Sequence, residues 1–155
     1  MSRGTQSPVG SGTASDLTSR QVRGTHRFRR LAVTCIVATP VAMVATTGVA
    51  ALARVVGVDF EVQDGETIPL AGIAVLTGFF SLVGVGIAAA LLLGSARPAE
   101  RFVQTAVTLT AISLVAPFFS GGSAATIAAL LGLHIVAAAV MVPSVARSVR
   151  TPTDP

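Results

Sequence analysis

Residues 31–53, LAVTCIVATPVAMVATTGVAALA, form a run of 23 residues without a charged side chain. Three further apolar stretches follow, at residues 68–94, 102–119 and 124–146. A helix rises 1.5 Å per residue, so about 20 residues cross the roughly 30 Å of hydrocarbon in a bilayer. All four stretches are close to that length or longer, and none alternates with the period of two expected of membrane β-strands. The sequence therefore predicts an all-α integral membrane protein, a four-helix bundle.

The overall composition excludes several classes of function. Hydrophobic residues make up 52% of the 155 residues and charged residues 12%, whereas a soluble domain carries roughly 25% charged residues. Cys35 is the only cysteine, which excludes an intrachain disulfide and a Cys-x-x-Cys redox pair. The sequence contains no Walker motif, zinc-binding helix or recognisable Ser–His–Asp arrangement. We therefore expect no enzyme, no metal and no cofactor.

The distribution of basic residues predicts the orientation of the helices. All 11 are arginines; six precede the first apolar stretch, two lie in residues 95–101 and two follow the last stretch, whereas only Arg54 lies in the other two loops. Basic residues accumulate on the cytoplasmic side of membrane proteins. We therefore expect a multi-pass plasma-membrane protein with both termini in the cytoplasm. Nucleic acid is not an expected partner, because Phe28 is the only aromatic residue in the basic region and no binding module follows.

The apolar pattern also divides the chain into segments. Residues 1–27 are predicted to be a disordered Arg-rich tail, residues 28–148 the transmembrane domain, and residues 149–155 a short cytoplasmic tail. Ala51-Leu52-Ala53 resembles a signal-peptide cleavage site. A secretory apolar region is only about 7–15 residues long, however, so we favour a first helix that is retained.

The loop after the first helix contains four carboxylates and an alternating apolar pattern. The carboxylates are Asp59, Glu61, Asp64 and Glu66. Carboxylate oxygens could attract a divalent cation, but their spacing matches no calcium-binding loop. A solvated loop is therefore the favoured interpretation. The apolar residues alternate with polar ones: Val56, Val58, Phe60 and Val62. This alternation predicts a short extended or hairpin segment on the bilayer surface.

His134 is the only ionisable residue besides Cys35 within an apolar stretch. It lies ten residues after Ala124, about 15 Å along the helix axis and hence near the bilayer midplane. Thr110 and Ser81 are at similar depths when counted from the ends of their own stretches. We therefore predict a candidate midplane polar site formed by His134, Ser81 and Thr110. Ionisable residues at that depth suggest a function, although a single interhelical hydrogen bond with a purely structural role is the more common explanation.

Small residues recur at four-residue spacing along the first two helices. They are Thr34, Ala38, Ala42, Thr46 and Ala50 in the first, and Gly86, Ala90 and Gly94 in the second. Such residues allow helix backbones to approach closely in lipid. The pattern predicts a tightly packed bundle, a homo-oligomer or a complex with another membrane protein.

Three segments resemble a known family. They are Gly57-Val58-Asp59-Phe60-Glu61-Val62, residues 113–117 (SLVAP) and residues 133–143 (LHIVAAAVMVP). In these segments the chain resembles an actinobacterial family of small membrane proteins, domain-of-unknown-function family 6069. The resemblance covers about residues 28–148 and implies four helices, but no activity.

Two functions are compatible with these observations. The first is a non-enzymatic membrane protein that packs against itself or a partner, as the small-residue stripes suggest. The alternative is a small-solute or proton pathway through the bundle that uses the midplane His134.

Overall fold

The computed structural model describes residues 11–62 and 65–150, with side chains from residue 24 onward. Four α-helices follow one another along the chain: α1 (Ser11–Val55), α2 (Leu70–Gly94), α3 (Pro98–Ser113) and α4 (Ala124–Val149). A 3₁₀ helix at Ala116–Phe119 follows α3. Four segments are long and apolar enough to cross a membrane: Gly24–Val55, Leu70–Gly94, Pro98–Phe119 and Ala124–Val149. The all-α four-helix architecture predicted from the sequence is confirmed.

Helix α1 begins at Ser11, 20 residues before the predicted start of the first helix. Disorder was predicted for residues 1–27; of these, residues 11–27 are helical and residues 1–10 lie outside the described part. Extending an existing helix is far easier than nucleating a new one, and arginine and glutamine are good helix formers. No proline occurs between Pro8 and Pro40 to stop this extension. The composition of this segment was therefore a poor guide to its conformation.

Helix α3 is displaced towards the N-terminus relative to the predicted range of 102–119. It begins at Pro98, whose fixed φ suits the first helical turn. It ends at Ser113 because Pro117 has no N–H to donate to the Ser113 carbonyl and its ring crowds that carbonyl. The chain tightens into shorter-range bonds, such as the one from the Phe118 N–H to the Val115 carbonyl at 3.2 Å. The sequence predicted one continuous helix over residues 102–119, whereas the structure divides this range into α3 and a 3₁₀ helix.

The other helix ends lie closer to their predicted positions. Helix α2 begins at Leu70, with Pro69 at the N-cap position, and ends at Gly94 as predicted. Helix α4 begins at Ala124, where the Ser123 hydroxyl accepts a hydrogen bond from the Thr126 N–H at 3.2 Å. It continues to Val149, three residues beyond the predicted end.

The helices pack as a four-membered ring in the order α2, α1, α4, α3. Helix α1 packs mainly against α2 and α4, and within the described residues it makes no contact with α3. We call the end that carries Arg29, Arg30 and Arg147 the arginine end, and the opposite end, which contains residues 58–68, the hairpin end.

The core consists of two separate apolar clusters. One is at the arginine end: Leu31, Ala38, Ala42, Ala88, Ala99, Phe102, Met141, Val145, Ala146 and Val149. The other is at the hairpin end: Ala50, Phe60, Ile73 and Leu133. The middle of the bundle, between these clusters, is where the buried hydroxyl groups described below are found.

Residues 58–62 and 65–68 form the two arms of a small hairpin that covers one end of the bundle. The Val62 N–H donates to the Glu66 carbonyl at 2.8 Å, and the Ile68 N–H donates to the Phe60 carbonyl at 3.1 Å. The Phe60 side chain is fully buried, with its backbone at a φ of 52°. The predicted hairpin is thus present, but its central aromatic residue packs into the bundle rather than on the bilayer surface.

Two contacts hold the hairpin in place. Arg54 donates to the Ile68 carbonyl at 2.6 Å, and its guanidinium carbon lies 5.9 Å from the centre of the Phe60 ring. On the other side, Gly122 in the α3–α4 turn lies against the hairpin backbone, since a Cβ atom built there would be 2.7 Å from the Glu61 carbonyl oxygen. The hairpin is therefore fixed to both halves of the bundle.

Candidate functional site

A pair of hydroxyl groups links α1 to α2 between the two apolar clusters. The Thr46 hydroxyl donates to the carbonyls of Ala42, at 2.9 Å, and Met43, at 3.2 Å, and lies 3.1 Å from the Thr77 hydroxyl. When the single Thr46 proton is shared between those carbonyls, Thr77 must be the donor to Thr46. Thr46 is only 1% exposed. Within the described part of the chain, the Thr46–Thr77 pair is the hydrogen bond that joins side chains of two helices.

Thr47, the next residue along α1, has a different environment. Its hydroxyl oxygen is buried and has no hydrogen-bond partner within the described part of the chain. A buried hydroxyl without a partner is unfavourable, although a threonine in a membrane helix can often reach a carbonyl of its own helix. The bundle interior therefore contains one satisfied hydroxyl pair beside one unsatisfied hydroxyl.

His134 bonds to its own helix. The ring is half-buried, and Nδ1 lies 2.8 Å from the Leu130 carbonyl oxygen, one turn earlier on α4. Because a carbonyl can only accept, Nδ1 carries the proton in this contact. In a neutral ring Nε2 would then be an acceptor. The proton of Nδ1 is thus used within α4 and is not available for a hydrogen bond to another helix.

Ser81 and Thr110 are the other two residues of the predicted midplane site. Ser81 is buried and Thr110 is half-buried, but no hydrogen bond joins either residue to His134 or to the other among the described contacts. Leu133, the neighbour of His134, belongs to the hairpin-end cluster together with Ile73 of α2. Ser81 lies eight residues after Ile73 on α2, about 12 Å along the axis of that helix. The structure pairs Thr46 with Thr77 instead, and a midplane site of His134, Ser81 and Thr110 stays a prediction.

The described carboxylates of the hairpin end are exposed to solvent. Asp59, Glu61 and Glu66 are exposed, and Asp64 lies outside the described residues. No group of three or more side chains of the kind that holds a metal ion is found within the described residues. The structural role of Glu61 lies in its backbone, which pairs with Thr67 and contacts the α3–α4 turn.

A groove between α1 and α4 at the arginine end was not anticipated from the sequence. It encloses about 400 Å³ and is lined by His26, Arg29, Arg30, Val33, Thr34, Ser144, Arg147 and Ser148. From the sequence, these arginines predict only the orientation of the helices in the membrane. The i, i+3, i+4 spacing of these residues puts them on one face of their own helix, but only the contact between α1 and α4 brings the two faces together.

The four long apolar helices define the class of the protein, a multi-pass membrane protein. Residues 26–151 match the family of unknown function DUF6069, and the chain belongs to that family. The resemblance inferred from the sequence is thereby confirmed, whereas an actinobacterial origin stays a prediction. No match is found among curated proteins or among solved structures.

Proposed function

We propose that the protein is a non-enzymatic membrane protein that acts by packing against a second copy of itself or against another membrane protein. The observation that carries this proposal is the outward-facing stripe on α2, formed by Gly86, Ala90 and Gly94, all of which are exposed. A Cβ atom built on Gly86 or Gly94 would meet no other atom within 4 Å beyond the local helix backbone. Small residues at four-residue spacing let a second helix approach closely in a bilayer.

Limited packing within the chain also supports this proposal. In the most apolar part of the α2 segment only 17% is buried inside the protein, and in that of Pro98–Phe119 only 11%. Most of the surface of these helices is therefore left for lipid or for another helix. Large side chains cover much of that surface, whereas the α2 stripe offers a shallow track suited to a helix.

Cross-linking in native membranes tests the proposal. The double variant Gly86→Leu/Ala90→Leu places two bulky side chains on the stripe and should remove most of the cross-linked complex. Gly48→Leu is a matched control, because Gly48 is an exposed glycine of α1 that also has open space around it. Equal thermal unfolding of the variants would show that the monomer is intact. A complex that survives the double substitution, or that is lost equally in the control, would contradict the proposal.

We further propose that the arginine end faces the cytoplasm of a plasma-membrane protein, so that both chain termini are cytoplasmic. The support is the excess of arginine at that end, where Arg97 and Arg101 join the arginines of α1 and α4, against Arg54 alone at the other. Asp59 and Arg150 are exposed at opposite ends. In a Cys35→Ser background, Asp59→Cys should react with an impermeant reagent from outside, and Arg150→Cys only after permeabilisation. The reverse pattern would invert the orientation.

A solute or proton pathway through the bundle has less support. His134 is engaged with the Leu130 carbonyl of its own helix, and no hydrogen bond joins it to Ser81 within the described residues. The pathway predicts that His134→Leu folds normally but abolishes transport in vesicles. The packing proposal predicts that it leaves complex formation unchanged.

A further inference from the structure

The groove at the arginine end concentrates positive charge on one face shared by two helices. On α1 the lining residues follow helical spacing, from His26 through Arg29 and Arg30 to Val33 and Thr34. On α4 the spacing repeats. Ser144, Arg147 and Ser148 line the groove from that side. Residues three or four positions apart lie on one face of a helix, so the two helices direct three guanidinium groups and one imidazole into the same space.

The three arginines of the groove have no neutralising partner among the described side chains. The only ion pair among those side chains joins Arg97 and Glu100, 3.4 Å apart, and both residues lie outside the groove. The remaining described carboxylates are at the hairpin end, on the far side of the bundle. Arg29, Arg30 and Arg147 are exposed and make no hydrogen bond within the described residues. An anion in the groove would relieve the repulsion between them.

The donors in the groove suit a phosphate group. A guanidinium donates two parallel hydrogen bonds to phosphate oxygens. The hydroxyls of Ser144 and Ser148 already donate to carbonyls of α4, at 2.6 and 2.7 Å. The three arginines therefore remain as the principal free donors, with His26 and Thr34 beside them.

An apolar track leads from the groove into the membrane-spanning part of α1. Val33 lines the groove itself, and Val37, Val41 and Val44 continue at intervals of three or four residues. These four valines are all 50% exposed or more. A free phosphate would use only the arginines, whereas a phospholipid would place its phosphate in the groove and an acyl chain along the valines. This arrangement distinguishes a lipid from a soluble anion.

We propose that this groove binds the headgroup phosphate of an anionic phospholipid in the leaflet at the arginine end. Basic pockets between membrane helices near the surface are suited to such headgroups. The site does not depend on self-association through α2, since the groove is formed by α1 and α4 within one chain. Failure of the packing proposal would therefore leave this site unaffected.

Native mass spectrometry of the full chain in detergent micelles tests the proposal. Phosphatidylglycerol and phosphatidylcholine with identical acyl chains are the probes. We expect phosphatidylglycerol to bind at least tenfold more tightly, and Arg29→Gln/Arg147→Gln to reduce its affinity about tenfold or more. Phosphatidylcholine binding should not change. The control Arg97→Gln/Arg101→Gln removes two charges from the same end but outside the groove and should have a much smaller effect.

Three outcomes would overturn the proposal: equal binding of the two lipids, equal loss in the groove and control variants, or displacement of phosphatidylglycerol by inorganic phosphate at similar concentrations. The last outcome would assign the groove to a soluble anion. Circular dichroism and thermal unfolding check that the variants fold, and the single substitution Arg147→Gln replaces the double one if the double variant unfolds. Arg147→Lys keeps the charge without the bidentate geometry and should give an intermediate affinity.

Discussion

Two stripes of small residues with the same four-residue spacing occupy opposite environments in this bundle. On α1, Ala38, Ala42, Thr46 and Ala50 are all buried. On α2, Gly86, Ala90 and Gly94 are all exposed. Helix α1 packs against two neighbours along its length, whereas α2 turns Ser81 and Ala88 inward and the stripe outward. The spacing thus predicts close helix contact, but the partner can be in the same chain or outside it.

The largest effect is expected from enlarging a residue of the inner stripe. Ala42 is fully buried, so Ala42→Leu must displace its neighbours and should lower the free energy of unfolding by about 1–3 kcal/mol. Ala90→Leu makes the same change on the exposed stripe and should alter the monomer by less than about 0.5 kcal/mol. Unfolding in mixed micelles by sodium dodecyl sulfate measures both. Equal destabilisation by the two substitutions would contradict the assignment of one stripe to the bundle interior and the other to its surface.

A smaller effect is expected from the hydroxyl within the inner stripe. Thr46→Val keeps the shape but removes the bond to Thr77, which should cost about 0.6–2 kcal/mol. Thr108→Val is the matched control, because Thr108 is exposed on α3. The same unfolding assay should show a loss for Thr46→Val only. A Thr46→Val variant as stable as the native chain would mean that the pair contributes no net stability.

The smallest effect is expected from two glycines on α2. A Cβ atom on Gly78 would lie 3.1 Å from the Met43 sulfur, whereas one on Gly86 has open space. Replacing glycine by alanine favours a helix by up to about 1 kcal/mol. Gly86→Ala should therefore stabilise the monomer, and Gly78→Ala should gain less, because the flexible Met43 must shift. The difference in unfolding free energy should favour Gly86→Ala by up to about 1 kcal/mol; an equal gain in the two variants would show that Met43 adapts without cost.

The features predicted correctly from the sequence are those that the bilayer dictates. Length and apolar composition were enough to locate four membrane-crossing helices, because lipid leaves a helix few alternatives. The hairpin after α1 was also visible in the alternation around Phe60. The end of α3 was missed because Pro117 was read as part of a helix that it interrupts.

The candidate site was harder to predict because it depends on how the helices are aligned. Counting residues from the ends of each apolar stretch put Ser81 and His134 at one depth. In the structure Leu133 belongs to the hairpin-end cluster with Ile73, which lies eight residues before Ser81 on α2. Thr46 and Thr77 lie at comparable distances from the loop that connects their helices, so their contact could have been predicted from the sequence. The Arg29–Arg147 groove depends on contact between the first and last helices, which sequence spacing alone does not reveal.

The hairpin around Phe60 has a consequence for the order of assembly. It is joined to α1 through Arg54 and to the α3–α4 turn through Gly122. Since α1 and α2 are synthesised first, the hairpin reaches its final packing only when the second pair of helices has arrived. We therefore expect residues 58–68 to be sensitive to protease in a chain that ends at residue 95 and protected in the full chain. Protection of this loop from protease would then show that all four helices of a newly inserted chain have packed together.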